Sequence, residues 1–303
     1  MKCALIGYGY WGKILEKYIN TNHLFQMKYI YAPEIKTSIT LDQIINDKEL
    51  NCVFICTPID THYQITKKCL LNKKNVFCEK PLCKSSKEIL DLIQLSKDNN
   101  ICLYTDYIYT VSKSIDYIKN NINKIGKIKY IKASISQFGN FYKNDNVYSI
   151  ITVHLISAIL YILSIENINE IDVIKKYILR KDSSNILDSI VELVINKNIY
   201  LDIESSLTSL DKVRTIKIIG DNGVIKFDMF YKDTVRTISI EQKDIGYAIT
   251  NIINVQEDES NNIKLAIDEF YNNIVNRKFE NINLTLKVTE TLEKIENFCG
   301  LIL

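Results

Sequence analysis

The run Gly7-Tyr8-Gly9-Tyr10-Trp11-Gly12 places three of the chain's nine glycines directly behind the apolar segment Cys3-Ala4-Leu5-Ile6. A G-x-G-x-x-G pattern between a strand and a helix is a phosphate-binding turn. Its first glycine allows the tight turn, its second lets the backbone approach a pyrophosphate, and its third lets helix and strand pack closely. A helix is expected at once, because Ile14, Leu15, Tyr18 and Ile19 recur at helical spacing. Its unpaired N–H groups and positive dipole end would then face an anionic ligand.

The residues that follow keep this rhythm. Strands are expected at 27–31, 52–56, 75–78 and 101–105, alternating with helices at 41–45, 61–72 and 85–99. The apolar 52–56 run suits a parallel strand covered on both faces, and the alternation predicts a doubly wound parallel sheet. Pro33, Pro58 and Pro81 all stand just beyond strand ends, on the edge where open α/β sheets bind ligands. Beyond about residue 110 the pattern changes. A helix at 112–123, a strand at 127–137 and a helix at 149–163 precede strands at 171–179, 186–195, 199–206, 214–219 and 224–229, with a hairpin signal at Asp221-Asn222-Gly223. Helices at 262–274 and 284–298 close the chain. The expected organisation is therefore α/β plus α+β. A Rossmann dinucleotide-binding domain at 1–110 precedes a domain at 111–303 with an antiparallel sheet and the closing helices, because one core stops growing at about 250–300 residues.

Composition narrows the partners. Thirty-eight basic against 36 acidic residues leave a net charge of +2, which gives no electrostatic case for nucleic acid or an anionic membrane. A small molecule is the expected partner. The eight cysteines, at 3, 52, 56, 69, 78, 83, 102 and 299, lack zinc spacings. They read as reduced, small hydrophobic residues, with no metal. No apolar stretch reaches about 18 residues and no leader is read before the first strand, so the expected location is the cytosol. The acid that selects NAD normally ends the second strand. Ala32 holds that position and Glu34 stands two residues beyond, while Lys36 is the cation available for a 2′-phosphate. NAD is the expected cofactor and NADP the alternative.

The glycine run, then Cys56-Thr57-Pro58 with Thr61-His62-Tyr63, then Glu79-Lys80-Pro81, resemble in order and spacing the Gfo/Idh/MocA family of nicotinamide-dependent sugar oxidoreductases. The resemblance implies an open-faced antiparallel sheet in the second domain and a homodimer or homotetramer. Phe138-Gly139-Asn140-Phe141, Asn146-Val147, His154, and Lys212-Val213-Arg214 ahead of a Gly220 turn are similar to its nucleotide-sugar branch, the UDP-N-acetylglucosamine and glucosaminuronate type of 3-dehydrogenase. That branch works on a ring carbon, commonly C3, in surface polysaccharide or modified-sugar synthesis.

By the same resemblance Lys80 and His154 are catalytic. Gly7, Gly9, Tyr10, Trp11, Gly12, Glu34, Thr57, Pro58, His62, Glu79 and Lys80 bind cofactor. Lys80, Tyr107, Asn140, Tyr142, His154, Lys212 and Arg214 bind substrate.

The chemistry is coherent. Hydride transfer needs a group that takes or gives the hydroxyl proton. An ammonium at Lys80 would stabilise a developing alkoxide, and His154 would act as base in oxidation or acid in reduction. Read without the resemblance, Lys80 is equally a solvated lysine, His154 a core histidine on an apolar helix, His62 a helix cap, and Lys212 and Arg214 solvated sheet-edge charges. Many relatives carry an aspartate four residues before the helix histidine, and this chain has Ile150. A tyrosine, Tyr107 or Tyr142, is the candidate helper. The alternatives are a free-sugar or cyclitol dehydrogenase or ketoreductase, and a catalytically silent dinucleotide-binding protein.

Overall fold

The computed structural model describes residues 1–35, 39–139, 141–142, 145–165 and 167–303. It comprises two compact units. One joins Met1–Ile108 to Asn261–Thr289, and the other joins Tyr109–Ser260 to Glu290–Leu303.

The first unit is a parallel sheet of β1 (Lys2–Ile6), β2 (Gln26–Tyr31), β3 (Cys52–Ile55), β4 (Asn75–Glu79) and β5 (Leu103–Asp106), in the order β2-β1-β3-β4-β5. Helices α1 (Tyr10–Asn20), α2 (Leu41–Asn46), α3 (Ile59–Leu71) and α4 (Ser86–Asn99) make the crossovers. The order reverses between β1 and β3, and the crevice beyond their carboxyl ends is where such sheets take ligands. All four residues of β3 are buried, as a doubly covered parallel strand requires.

One face packs on Ile44, Ile45, Leu70, Ile89 and Leu92. Another part of the core is a cluster of rings. Phe54 lies 5.3 Å from Phe25 and 5.1 Å from Phe77, and Phe77 stacks on Tyr104 at 5.4 Å. Phe270 of α7 (Asn262–Asn276) comes within 6.1 Å of all four rings. Tyr104 also donates to Glu269 at 2.8 Å, and Asn22 to Asp268 at 2.8 Å. Asn281, in α8 (Glu280–Asn297), mimics a neighbouring strand at the edge of β5. Its Oδ1 accepts from the Thr105 N–H at 2.7 Å and its Nδ2 donates to the Thr105 carbonyl at 3.0 Å. Residues Asn261–Thr289 thus complete the first unit, whereas the sequence reading assigned the closing helices to the second domain. An amphipathic stripe shows that a helix covers apolar surface without showing which surface.

The second unit carries a nine-stranded sheet: β6 (Ile128–Phe138), β7 (Ile171–Asp182), β8 (Asn185–Ile195), β9 (Ile199–Ser206), β10 (Thr208–Gly220), β11 (Gly223–Asp228), β12 (Val235–Gln242), β13 (Tyr247–Val255) and β14 (Leu301–Ile302). Their order is β13-β12-β11-β10-β6-β9-β8-β7-β14. It is mixed rather than purely antiparallel, since β6–β9 and β7–β14 pair in parallel. The expected hairpin forms, with Gly220 opposite Gly223 and Asp221-Asn222 at its tip. Strands β12 and β13 have no counterpart in the sequence reading. No residue of β13 is buried, so burial imposed no alternation on its sequence.

Helices α5 (Lys113–Asn121) and α6 (Val153–Leu163) pack in this unit, and a single π-turn at Tyr148–Thr152 leads into α6. On the opposite side, side chains form ranks across the strands. Tyr200, Tyr130, Ile219, Val224, Ile238 and Ile252 are successive cross-strand partners, each half-buried or exposed. The adjacent rank runs Lys175, Glu192, Asp202, Lys132, Lys217, Lys226 and Arg236, two acids flanked on both sides by basic residues.

Candidate active site

The glycine turn has the shape its sequence demands. Gly7 sits at φ +97°, and a Cβ there would lie 2.6 Å from the carbonyl of Cys56. A Cβ on Gly12 would lie 2.3 Å from the Gly7 carbonyl oxygen, so helix and turn touch backbone to backbone. Gly9 differs: nothing stands within 4 Å of the Cβ position. No side chain caps α1 and no acidic residue occupies its first turn, so its free N–H groups and dipole face an uncontested site for an anion. The residues present therefore fit a dinucleotide pyrophosphate. Tyr10 is exposed and lies edge-on to Trp11, and Glu34 is exposed beyond β2. Gly9→Ala is expected to leave thermal stability unchanged while weakening NAD affinity by at least about tenfold. Gly12→Ala should lower the melting temperature as well. Calorimetric titration and melting separate the two, and equal melting of both variants would contradict this geometry.

At the ends of β3 and β4, side chains tie neighbouring loops together. Cys56 donates its thiol to the Gly7 carbonyl at 3.0 Å, and the Thr61 hydroxyl lies 2.6 Å from that of Thr57 and 2.7 Å from the Pro58 carbonyl. His62 is 2% exposed. Its Nε2 lies 2.7 Å from the Thr57 carbonyl and its Nδ1 3.0 Å from the Pro81 carbonyl. It is neither a helix cap, since α3 begins at Ile59 after Pro58, nor a surface turned outward. It clasps the two loops that carry Thr57 and Lys80.

Lys80 follows β4 directly and is half-buried beside Glu79. Glu79 is the cross-strand partner of Asp106 at the end of β5. Burial pushes the Glu79 carboxyl up to about 7 against the pull of Lys80. Asp106 is 2% exposed, and its Oδ1 finds no hydrogen-bond partner among the described residues. Burial first, then the charge of Glu79, hold its carboxyl well above the usual carboxylate range, with Lys80 opposing.

In the second unit, hydrogen bonds fix the entry to α6. Tyr148 pairs with Ser189 at 2.8 Å, and Thr152 donates to Ser205 at 2.7 Å. His154 is the one half-buried residue in an otherwise buried stretch from 151 to 160. Its ring meets Tyr109 edge-on at 5.5 Å. Tyr109 is hydrogen-bonded by Arg214, and burial pushes its phenol up to about 12. Arg214 also donates to the carbonyls of Ser136 and Val213, each at 2.8 Å, and to Gln137. Tyr109 donates to the sulfur of Met229 at 3.5 Å. Met229 lines an open groove of about 750 Å³ with Phe230, Tyr231, Lys232 and residues 256–260. Phe230 and Tyr231 are 56% and 60% exposed.

Of the sequence-identified residues, the glycine turn, Thr57, Pro58, His62, Glu79 and Lys80 gather at the carboxyl edge of the first sheet, while His154 and Arg214 cluster in the second unit. Lys212 and Tyr142 are exposed, and Asn140 and Lys36 lie outside the described residues. Tyr107, the expected helper, lies in the first unit. Its ring is fully buried against Thr285, and the tyrosine beside His154 is Tyr109. Sequence reasoning also missed Asp106, whose only signal is an acid closing an apolar strand on the ligand-binding edge. Six cysteines are buried, Cys56 is half-buried and Cys299 is exposed. Burial pushes the thiols of Cys3, Cys69 and Cys102 up to about 12. No described helix is long and apolar enough to cross a membrane.

Residues 1–107 match the model of an oxidoreductase family with an NAD-binding Rossmann fold. An uncharacterised oxidoreductase of Streptococcus pneumoniae is 28% identical over 142 residues, which are 43% of this chain and 39% of that protein. The match thus spans about two fifths of the relative's length. Among solved structures, KijD10, a 3-ketoreductase from Actinomadura kijaniata, was determined as a mutant with TDP-benzene and NADP. It superposes with a TM-score of 0.81 at 10% identity, covering 100% of this chain and 99% of that one. GnnA, the UDP-N-acetylglucosamine 3-dehydrogenase of Acidithiobacillus ferrooxidans, gives 0.80 at 15% identity, covering 97% and 96%.

Proposed function

We infer that this chain, whose residues 1–107 match the model of the Gfo/Idh/MocA oxidoreductase family, moves a hydride between NAD and a ring carbon, C3, of a nucleotide-linked sugar. The observation that carries this reading is Lys80, held on the same sheet edge as an open glycine cradle. NAD, when bound, supplies the hydride donor or acceptor. Gly7 to Gly12 and the start of α1 take its pyrophosphate. Lys80 hydrogen-bonds the sugar hydroxyl and moves its proton, and His154 is the second proton-transfer group. Arg214, joined to Tyr109, holds the diphosphate. The groove at Met229 favours a nucleotide over a free sugar, because its exposed aromatics Phe230 and Tyr231 offer a base a stacking surface. Two fold neighbours, a ketoreductase with bound TDP-benzene and a UDP-sugar dehydrogenase, support the same class.

The test is the absorbance of reduced nicotinamide, with NAD(H) and NADP(H), across UDP- and TDP-sugars, free sugars and cyclitols. Turnover with nucleotide sugars alone supports the proposal. Turnover of free sugars or cyclitols refutes the nucleotide requirement. Tight NAD binding with no turnover would mark a silent binding protein, the reading that Ile150 favours, and would make Ile150→Asp the variant to assay.

We also infer a homo-oligomer built on the uncovered sheet face. The apolar rank from Tyr200 to Ile252 would be covered by a second copy. The neighbouring rank offers two complementary pairs. If a two-fold axis ran along β6, Asp202 of one copy would meet Lys217 of the other, and Glu192 would meet Lys226. Ile219→Asp is expected to convert the assembly to monomers in light scattering, with the chain still folded. An unchanged mass would refute this interface.

A further inference from the structure

Asp106 ends β5 directly opposite Glu79, on strands that lie about 4.8 Å apart. Cross-strand partners share one face of the sheet, and the charge of Glu79 disfavours ionisation of Asp106. Asp106 is the more enclosed of the two, with one oxygen lacking any partner among the described residues. A buried oxygen without a donor is tolerated on a neutral acid far better than on an anion. Around the pair stand Lys80 after β4, Cys56 after β3, Tyr104 on β5 and, through Tyr104, Glu269 on α7. Lys80 is the sole cation of that group. Its charge is felt at Asp106, so the protonation of the lysine and that of the carboxyl influence each other.

We propose that Asp106 is a positioning residue for Lys80, a neutral carboxylic acid that hands its proton to the lysine and takes it back. The proposal deepens the oxidoreductase reading and rests on it. In reduction, an N–H bond of Lys80 breaks as the sugar oxygen gains its proton. The O–H bond of Asp106 then breaks and restores the N–H, leaving a carboxylate to be reprotonated from solvent. Oxidation runs these transfers in reverse. The charge of Glu79 opposite then favours the return of a proton to Asp106.

Carbon-13 NMR of the side-chain carboxyls in the cofactor-free protein tests the pair without reference to turnover. Asp106 is expected to remain protonated at about pH 7, where an ordinary aspartate is ionised. Glu79→Gln should lower its titration by at least about one pH unit. Kinetics with the nucleotide sugar that turns over then tests the transfer. Asp106→Asn, which preserves shape, should cut kcat by about 10²-fold and abolish the fall in reduction rate that follows Asp106 ionisation at high pH. NAD affinity should stay within about twofold. A purely structural role would leave that pH limb in place. An Asp106 ionised by about pH 5 overturns the proposal whatever the assay gives. So does a neutral Asp106 whose asparagine variant keeps wild-type kcat and pH profile. A wild-type chain that turns over nothing refutes the oxidoreductase reading itself, and with it the transfer step, while NMR still reports the pair.

Discussion

Lys80→Ala is expected to reduce turnover by about 10²–10⁴-fold, the range supplied by a positioned proton-transfer group, while NAD binding measured by calorimetry stays within about threefold. The glycine cradle follows β1, two strands along the same sheet edge from the end of β4 that holds Lys80, so pyrophosphate binding and proton transfer should separate. Three features fix the ammonium: β4 ends one residue earlier, Pro81 restricts the Lys80 backbone, and His62 clasps the Pro81 carbonyl. Alanine removes the group that donates to the sugar oxygen and leaves the loop in place. Lys80→Arg should fail nearly as completely, because a guanidinium does not give up its proton at neutral pH. Stopped-flow mixing with preformed binary complex would show whether the loss falls on the chemical step. Retention of more than about a tenth of wild-type kcat would remove Lys80 from the reaction.

Phe270→Ala should cost about 3–5 kcal/mol in denaturant unfolding, the usual penalty for deleting a fully buried ring. Phe270 touches Phe25, Phe54, Phe77 and Tyr104, so its removal opens a cavity bounded by four rings fixed on separate elements. Those rings cannot collapse inward without breaking strand register. Val275→Ala on the same helix is the control. Its side chain is 55% exposed, and it should change stability by no more than about 0.5 kcal/mol. Comparable losses in both variants would mean that α7 contributes helix propensity rather than packing.

The sequence was most legible where the chemistry is local. The glycine turn is readable because only glycine tolerates φ +97° at Gly7 and the backbone contact at Gly12. Lys80 and His154 emerged from motif order, which geometry then assigned to a sheet edge and to the exit of a π-turn. Asp106 was hidden because its meaning depends on register: nothing near residue 106 says that Glu79 lies opposite. Tyr107 and Tyr109 illustrate the same limit. They stand two positions apart, yet one is buried against Thr285 and the other meets His154. The edge strand β13 left no periodic trace because none of its side chains is buried, and the destination of α7 was invisible because amphipathicity has no address.

The division of the chain bears on how it is made. Domains ordinarily fold during synthesis, amino-terminal first, at about 5–20 residues per second. Here the first 108 residues leave the ribosome without Phe270 or Asn281, and must wait while 109–260 are translated, a delay of roughly 8–30 s. The second unit waits too. Lys176 donates to the carbonyls of Ile295 and Glu296, and β14 pairs with β7. Residues 261–289 close the first core and 290–303 join the second, so a nascent polypeptide stalled before them would present Phe25, Phe54 and Phe77 to chaperones and proteases. A premature stop codon in α7 would thus act on the core of residues 1–108 as severely as a mutation within it.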